Sequence, residues 1–397
     1  MIDIKPKKPK YSAYLDSAAT SLIRPPEVHS AVKNALKKAA STGRSQHKWA
    51  SFAQETVFSA RESAAELLGA ASPEQIVFTH NATHGLNAAI NAVVPRGARV
   101  LVSGYEHNSV IRPLHARGCD IMLARSRLFE PELCEFMFGV SMDKAQAVVV
   151  NHVSNVFGYR LPVEKISSLC RERGIPLIID ASQSAGSVGV DMESLGADFI
   201  AMPGHKGLLG PQGTGILVVN EKYARDAALA KRLKESLLMF GGTGSLSQSR
   251  EMPEALPDML EPGTLNVHGI AGLAAGIKYI SSLGTENILA HELKLLRRTE
   301  HRLAEIPGAE VFGGGFDSDR TGVLSFTLAG HDCEEVAECL AARGIAVRAG
   351  LHCAPVAHET AGTIKTGTVR VSFSPFSRKR DAEALVREVS VIAEDNK

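Results

Sequence analysis

Lys206 lies in Pro203-Gly204-His205-Lys206-Gly207, directly after the apolar run Phe199–Met202. Lysine is rarely buried without a partner, and glycines beside it let a ligand approach closely. The chemistry that suits such a lysine is a Schiff base, favoured when desolvation lowers the pKa of the amine. The plainer alternative is a surface turn lysine. Asp180 closes a second apolar run, Leu177–Asp180, ahead of Ala181-Ser182-Gln183-Ser184. A carboxylate there either caps the turn or bonds a charged group in a crevice. A pyridinium nitrogen is one such group, kept protonated by the carboxylate. Asn81-Ala82-Thr83-His84-Gly85 opens a helical stretch. Free N–H groups at a helix start suit a phosphate, although Thr and Asn are also ordinary helix caps.

A second group of residues falls near the carboxyl terminus. Cys353 sits in Arg348-Ala349-Gly350-Leu351-His352-Cys353-Ala354-Pro355, a polar loop rather than a core segment. A neighbouring cation would raise its thiolate fraction; an inert thiol is the alternative. Arg370 interrupts the apolar strand pattern of Thr368-Val369-Arg370-Val371-Ser372. Its fork fits a substrate carboxylate or a structural carboxylate equally well. His107, in Gly104-Tyr105-Glu106-His107-Asn108, follows the run Val100–Ser103. His107 and His205 are either site residues or satisfied loop histidines.

These positions share a context. Seven β-rich runs occupy Ile76–Thr79, Val100–Ser103, Ile121–Ala124, Ala147–Asn151, Leu177–Asp180, Phe199–Met202 and Ile216–Val219. Helical stretches separate several of them, clearest at Ala82–Val93, Ser109–Arg117 and Val163–Arg173. Continuous apolar strands alternating with helices predict an α/β fold with a mainly parallel sheet covered on both faces. Ligands bind such sheets beyond the carboxyl ends of the strands, where Asp180, Lys206 and His107 fall. The pattern changes after Lys222. A helical stretch, Lys222–Leu238, precedes a glycine-rich segment (240–247) and a Pro-rich one (252–263). Helices at Gly269–Leu283 and Asn287–Ala304 lead into an α+β region beginning near residue 285, with strands Val323–Leu328 and Val369–Phe373 and helices Cys333–Arg343 and Lys379–Ala393. The helix Pro26–Ala39 is not assigned to either lobe.

Composition bounds the rest. The 397 residues exceed one ordinary hydrophobic core, so two lobes are expected. The division is placed at 1–284 for the N-terminal segment and large domain, and 285–397 for a small domain. The 44 basic and 43 acidic residues nearly cancel, which disfavours nucleic acid and anionic membranes as partners. The six cysteines are not in metal-ligand or dithiol spacing, so reduced cytoplasmic thiols are expected. The polar stretch at residues 1–10 lacks a signal-peptide core, and no apolar run is long enough to span a bilayer.

The order of these motifs resembles the class V aminotransferases, fold-type I enzymes dependent on pyridoxal 5′-phosphate (PLP). Within them the chain is most similar to the cysteine desulfurase and selenocysteine lyase branch. The Arg348–Ala354 loop is similar to that of the SufS-like, group II members. The resemblance runs from Tyr14-Leu15-Asp16-Ser17-Ala18-Ala19-Thr20 to the strand carrying Arg370. It implies that Lys206 binds PLP covalently, that Asp180 pairs with the pyridine nitrogen, and that Gln183 pairs with the ring hydroxyl. His107 would stack on the ring. Thr83 and His205 would contact the phosphate at the helix start containing Ala82. Thr264, in Glu261-Pro262-Gly263-Thr264-Leu265-Asn266, would reach the phosphate of a partner subunit in a homodimer. Arg370 and Asn155 would bind the substrate carboxylate, with Arg348 on the cysteine loop. Arg44 and His47 match a stretch that lines the site. Pro203 and Ala82 depart from the family pattern, standing where the SufS-like members carry hydroxyl residues.

The activity implied is conversion of L-cysteine into L-alanine, with sulfur passing to Cys353 as a persulfide and then to an acceptor protein. Lys206 would move the Cα proton, and His107 could serve the leaving sulfur. Selenocysteine lyase chemistry is the alternative, with another class V reaction or an idle scaffold behind it. The other five cysteines carry no implied role.

Overall fold

The computed structural model describes residues 13–42, 45–314 and 319–394. All seven expected strands form and join one sheet. Its order is Ile76–Thr79, Gly215–Val219, Phe199–Pro203, Leu177–Asp180, Ala147–Asn151, Arg99–Ser103 and Asp120–Ala124. Only Gly215–Val219 runs against its neighbours; the remaining pairings are parallel. The central strands are buried along their whole length. Alternate side chains point to opposite faces of a strand, and two separate cores result. Val148, Val150 and Ile179 belong to one, and Ala147, Val149 and Ile178 to the other. This two-sided burial explains the continuous apolar runs.

A second, antiparallel sheet has the order Arg348–Gly350, Thr368–Ser372, Val323–Leu328 and Ala309–Phe312. Its own core joins Leu324, Phe326, Val369 and Val371 to Leu296, Leu385 and Val389 on helices Thr285–Ala304 and Lys379–Glu394. The strand Ala13–Tyr14 pairs with Ile345–Ala346, and Leu15 is in the same core. The helix Pro26–Lys38 packs on Val267–Leu283.

The structure corrects one expected helix and adds four, two of them short (Met192–Leu195 and Pro355–Ala361) and two long. Lys222–Leu238 is not continuous; it forms Lys222–Arg225 and Ala227–Glu235. Asp226 separates them, extended at φ −99°, and its carboxylate caps the second by accepting from Ala228 and Leu229 N–H. The 20-residue helix Lys48–Leu67 buries Ala50, Ala53, Val57, Ala60 and Ala64. Pro131–Met142 buries Cys134, Phe138 and Met142. Among the described residues, no helix is long and apolar enough to cross a membrane.

Candidate active site

A cleft of about 100 Å³ opens at the carboxyl ends of the parallel strands. It brings together Ala82, Thr83, His107, Asn155, Asp180, Gln183, Pro203, His205 and Lys206. Lys206 is placed there by the turn after Phe199–Pro203. Its carbonyl accepts from Leu209 N–H at 2.9 Å and from Ser21 Oγ at 2.8 Å. Gly207 is required by close packing: a Cβ there would stand 2.2 Å from the Ala185 carbonyl oxygen.

The electrostatics single out the same side chains. Burial brings the Lys206 amine down to about 8; Arg370 and Arg348 add to the fall, while Asp180 and Cys353 oppose it. No hydrogen bond or ion pair ties its Nζ among the described residues. Burial also takes His107 and His205 down to about 4, leaving both neutral at pH 7. His107 Nδ1 accepts from Ser109 N–H at 3.1 Å, capping the helix Asn108–Ala116. The neutral ring therefore carries its proton on Nε2. Asp180 Oδ1 accepts from Ser182 N–H at 2.9 Å and from Ser182 Oγ. Gln183 Nε2 donates to the Ala18 carbonyl at 3.0 Å.

At the helix Ala82–Val93, Asn81 Oδ1 accepts from His84 N–H at 2.9 Å. Gly85 N–H reaches the Asn81 carbonyl. The amides of Ala82 and Thr83 are the first-turn donors left over, at the wall of the cleft.

Cys353 is exposed. His352 and Cys353 both adopt left-handed backbone, with φ of +50° and +58°. Non-glycine residues there carry strain of about 1–3 kcal/mol each. Asn108 N–H bonds the Cys353 carbonyl at 2.8 Å. His352 turns inward, and its Nε2–H donates to the Thr368 carbonyl at 3.1 Å. Burial drops it to about 2, so it is neutral. The cation beside the thiol is Arg348, whose Nη2 lies 3.7 Å from Sγ.

Arg370 finds a structural partner: its Nη2 donates to Asp16 Oδ1 at 2.9 Å. Its Nη1 donates to the Asn155 carbonyl at 2.9 Å. Asn155 Nδ2 in turn donates to the His352 carbonyl at 2.8 Å. Asn155 thus ties Arg370 to the cysteine loop, and its own Oδ1 is buried without a partner.

Other sequence-derived positions lie elsewhere. Thr264 lines a separate cleft with His80, His84 and Asn266. His47 does not line the Lys206 cleft; its Nδ1 caps the helix Lys48–Leu67 by accepting from Ala50 N–H at 3.2 Å. Arg44 lies outside the described residues. Sequence reasoning missed Asp16 as the partner of Arg370 and the buried Glu106 next to His107. Glu106 is fully buried, and burial pushes its carboxyl up to about 8. Its Oε1 accepts from Ser103 Oγ and from Asn151 N–H at 3.0 Å, while Oε2 has no partner. Both missed acids lie within segments already singled out, but nothing in their type announced a partner.

Fold and site together define an α/β protein with a buried lysine amine in a cleft at the rim of a mainly parallel sheet. The aminotransferase class-V pattern matches residues 13–385, and the chain belongs to that family. A probable cysteine desulfurase of Methanothermobacter thermautotrophicus is 32% identical over 96% of this chain and 94% of its own length. A cysteine desulfurase of Salmonella agona is 32% identical over 86% and 84%. Among solved structures, the cysteine desulfurase of Thermococcus onnurineus superposes with a TM-score of 0.87 at 30% identity, covering 97% of this chain and 95% of that one. The cysteine desulfurase CsdA of Escherichia coli gives 0.82 at 27%, covering 96% and 95%.

The family depends on PLP, and the residues present fit it. The unpaired Lys206 amine faces the cleft, an aspartate stands beside it, and two free amides mark a phosphate seat. The departures at Pro203 and Ala82 remove side-chain hydroxyls but leave these amides in place.

Proposed function

We propose that the protein is a PLP-dependent cysteine desulfurase, yielding L-alanine and a persulfide on Cys353. The observation that carries the reading is an exposed cysteine beside Arg348, within electrostatic reach of the cleft lysine.

Lys206 would hold the cofactor covalently. Asp180 would sit against its pyridine nitrogen, Gln183 against its ring hydroxyl and His107 over its face. Thr83, His205 and the amides of Ala82 and Thr83 would take its phosphate. Bound there, the cofactor acts as an electron sink that labilises the substrate Cα–H and C–S bonds. Arg370 and Asn155 orient the substrate carboxylate, with Arg370 sharing itself between Asp16 and the ligand. Lys206 Nζ, low enough in pKa to be partly free at neutral pH, takes the Cα proton. His107 carries a proton on Nε2 for the substrate sulfur. The Cys353 thiolate attacks that sulfur, the carbon–sulfur bond breaks, and the carbon skeleton leaves as alanine. The sum is L-cysteine plus Cys353 thiol giving L-alanine plus Cys353 persulfide.

The chain is read as two lobes meeting near residue 284, one bearing Lys206 and the other the cysteine loop. It works as a homodimer in the cytoplasm. Support for the dimer is Thr264 lining a cleft away from its own Lys206, together with exposed Leu238, Met239, Phe240 and Leu246. Exposure of Cys353 supports delivery of sulfur to an acceptor protein.

The test is alanine release by PLP-loaded protein given L-cysteine or L-selenocysteine, with Cys353→Ala beside it. Alanine from cysteine, falling at least about 100-fold in the variant, is expected. Alanine only from selenocysteine, surviving the mutation, would instead make it a selenocysteine lyase.

A further inference from the structure

A second, smaller cavity, of about 50 Å³, lies behind the Lys206 turn. Helix Thr285–Ala304 forms one wall, and the Ser17–Ser21 segment and the end of the strand Thr368–Ser372 form others. Glu292 projects from that helix into it. Its side chain is more than nine-tenths buried, yet no hydrogen bond or ion pair reaches its carboxyl group among the described residues. Burial alone pushes this carboxyl up to about 8, and a buried polar group normally has a partner.

The rest of the lining narrows what that partner can be. Thr321 Oγ1 faces the same cavity, also buried and without a partner. The hydroxyls of Ser17 and Ser187 also line it. Among the described residues that line it, Glu292 is the only acid and Lys206 the only cation, and neither His nor Cys is present. Ca²⁺ sites gather several carboxylates and Mg²⁺ keeps several of its own waters, while soft metals want sulfur or imidazole. One carboxylate among hydroxyl oxygens matches a hard ion of single charge. The room is built for the carboxyl group: a Cβ on Gly322 would stand 2.8 Å from Glu292 Cβ and 2.9 Å from Oε2.

We propose that Glu292 is the charged ligand of an alkali-metal cation, held with Thr321 Oγ1 between helix Thr285–Ala304 and the back of the Lys206 turn. The ion is structural. It anchors that helix against Ser17–Ser21, whose Ala18 carbonyl holds Gln183. The site adds to the desulfurase reading without resting on it.

The test is thermal unfolding of the full chain, with and without PLP, at constant ionic strength. Sodium or potassium chloride replaces choline chloride stepwise. The wild type is expected to gain Tm saturably with one alkali cation. Glu292→Gln should abolish the gain, and Thr321→Val should weaken the apparent affinity several-fold. A wild-type Tm indifferent to the cation would overturn the proposal and leave Glu292 a neutral carboxylic acid. So would a saturable gain that persists unchanged in Glu292→Gln, or a response to ammonium alone.

Discussion

At Cys353 the surroundings show what a residue type alone cannot. The sequence places a histidine beside the thiol, yet His352 is turned into the core and held neutral. Arg348 is the cation at the sulfur, set there by a loop that strains two residues into left-handed backbone. Glu106 is the other residue whose role needs its environment. A free glutamate ionises near 4.5, but in the fold this one holds its proton to about 8 because burial disfavours the charge. Its folded pKa is raised, so its contribution to stability is whole below about pH 4.5. That contribution is lost as pH climbs through 8. Glu106→Gln keeps the Oε1 acceptor and cannot ionise. The variant should therefore gain on the wild type by at least about 1.4 kcal/mol between pH 5 and 9, the free energy of a tenfold change in an ionisation constant. Urea midpoints at the two pH values measure this; parallel curves would mean that Glu106 ionises freely.

Elements were legible where burial is two-sided. The strands Ala147–Asn151 and Leu177–Asp180 are apolar throughout because both faces are covered, and their limits could be read directly. The helix Lys48–Leu67 was not legible, because its buried stripe is mostly alanine and small side chains give little hydrophobic contrast. The break at Asp226 was hidden for a different reason: aspartate is tolerated within helices, and only its capping contacts reveal the boundary. Lys206 and Asp180 were visible because polar residues closing apolar strands stand out. Asp16 was not, since its contact with Arg370 spans 354 positions. The turn after Phe199–Pro203 makes an element-level prediction. Gly207→Ala would push a methyl group into the Ala185 carbonyl and displace the Lys206 backbone. Overpacking of this kind costs about 1–3 kcal/mol. The variant should lose PLP faster on dialysis than the wild type, read by its visible absorbance. Equal retention would show that the turn does not fix the lysine.

On the scale of the whole molecule, the two sheets carry different parts of the proposed site. The large parallel sheet sets Asp180, His107 and Lys206 around the cleft, and the antiparallel sheet carries Arg348 and Arg370 on adjoining strands. Asn155 joins the two, bonding both Arg370 and the cysteine loop. In the proposed reaction this junction would bring substrate sulfur and protein sulfur together, and the step to test is transfer to Cys353. The most direct measurement is a single turnover of PLP-loaded protein with one equivalent of L-cysteine, followed by peptide mass analysis under non-reducing conditions. One added sulfur atom on the Cys353 peptide is expected, matched by one equivalent of alanine. Alanine with the Cys353 peptide unmodified, or sulfur carried on another cysteine, would contradict it.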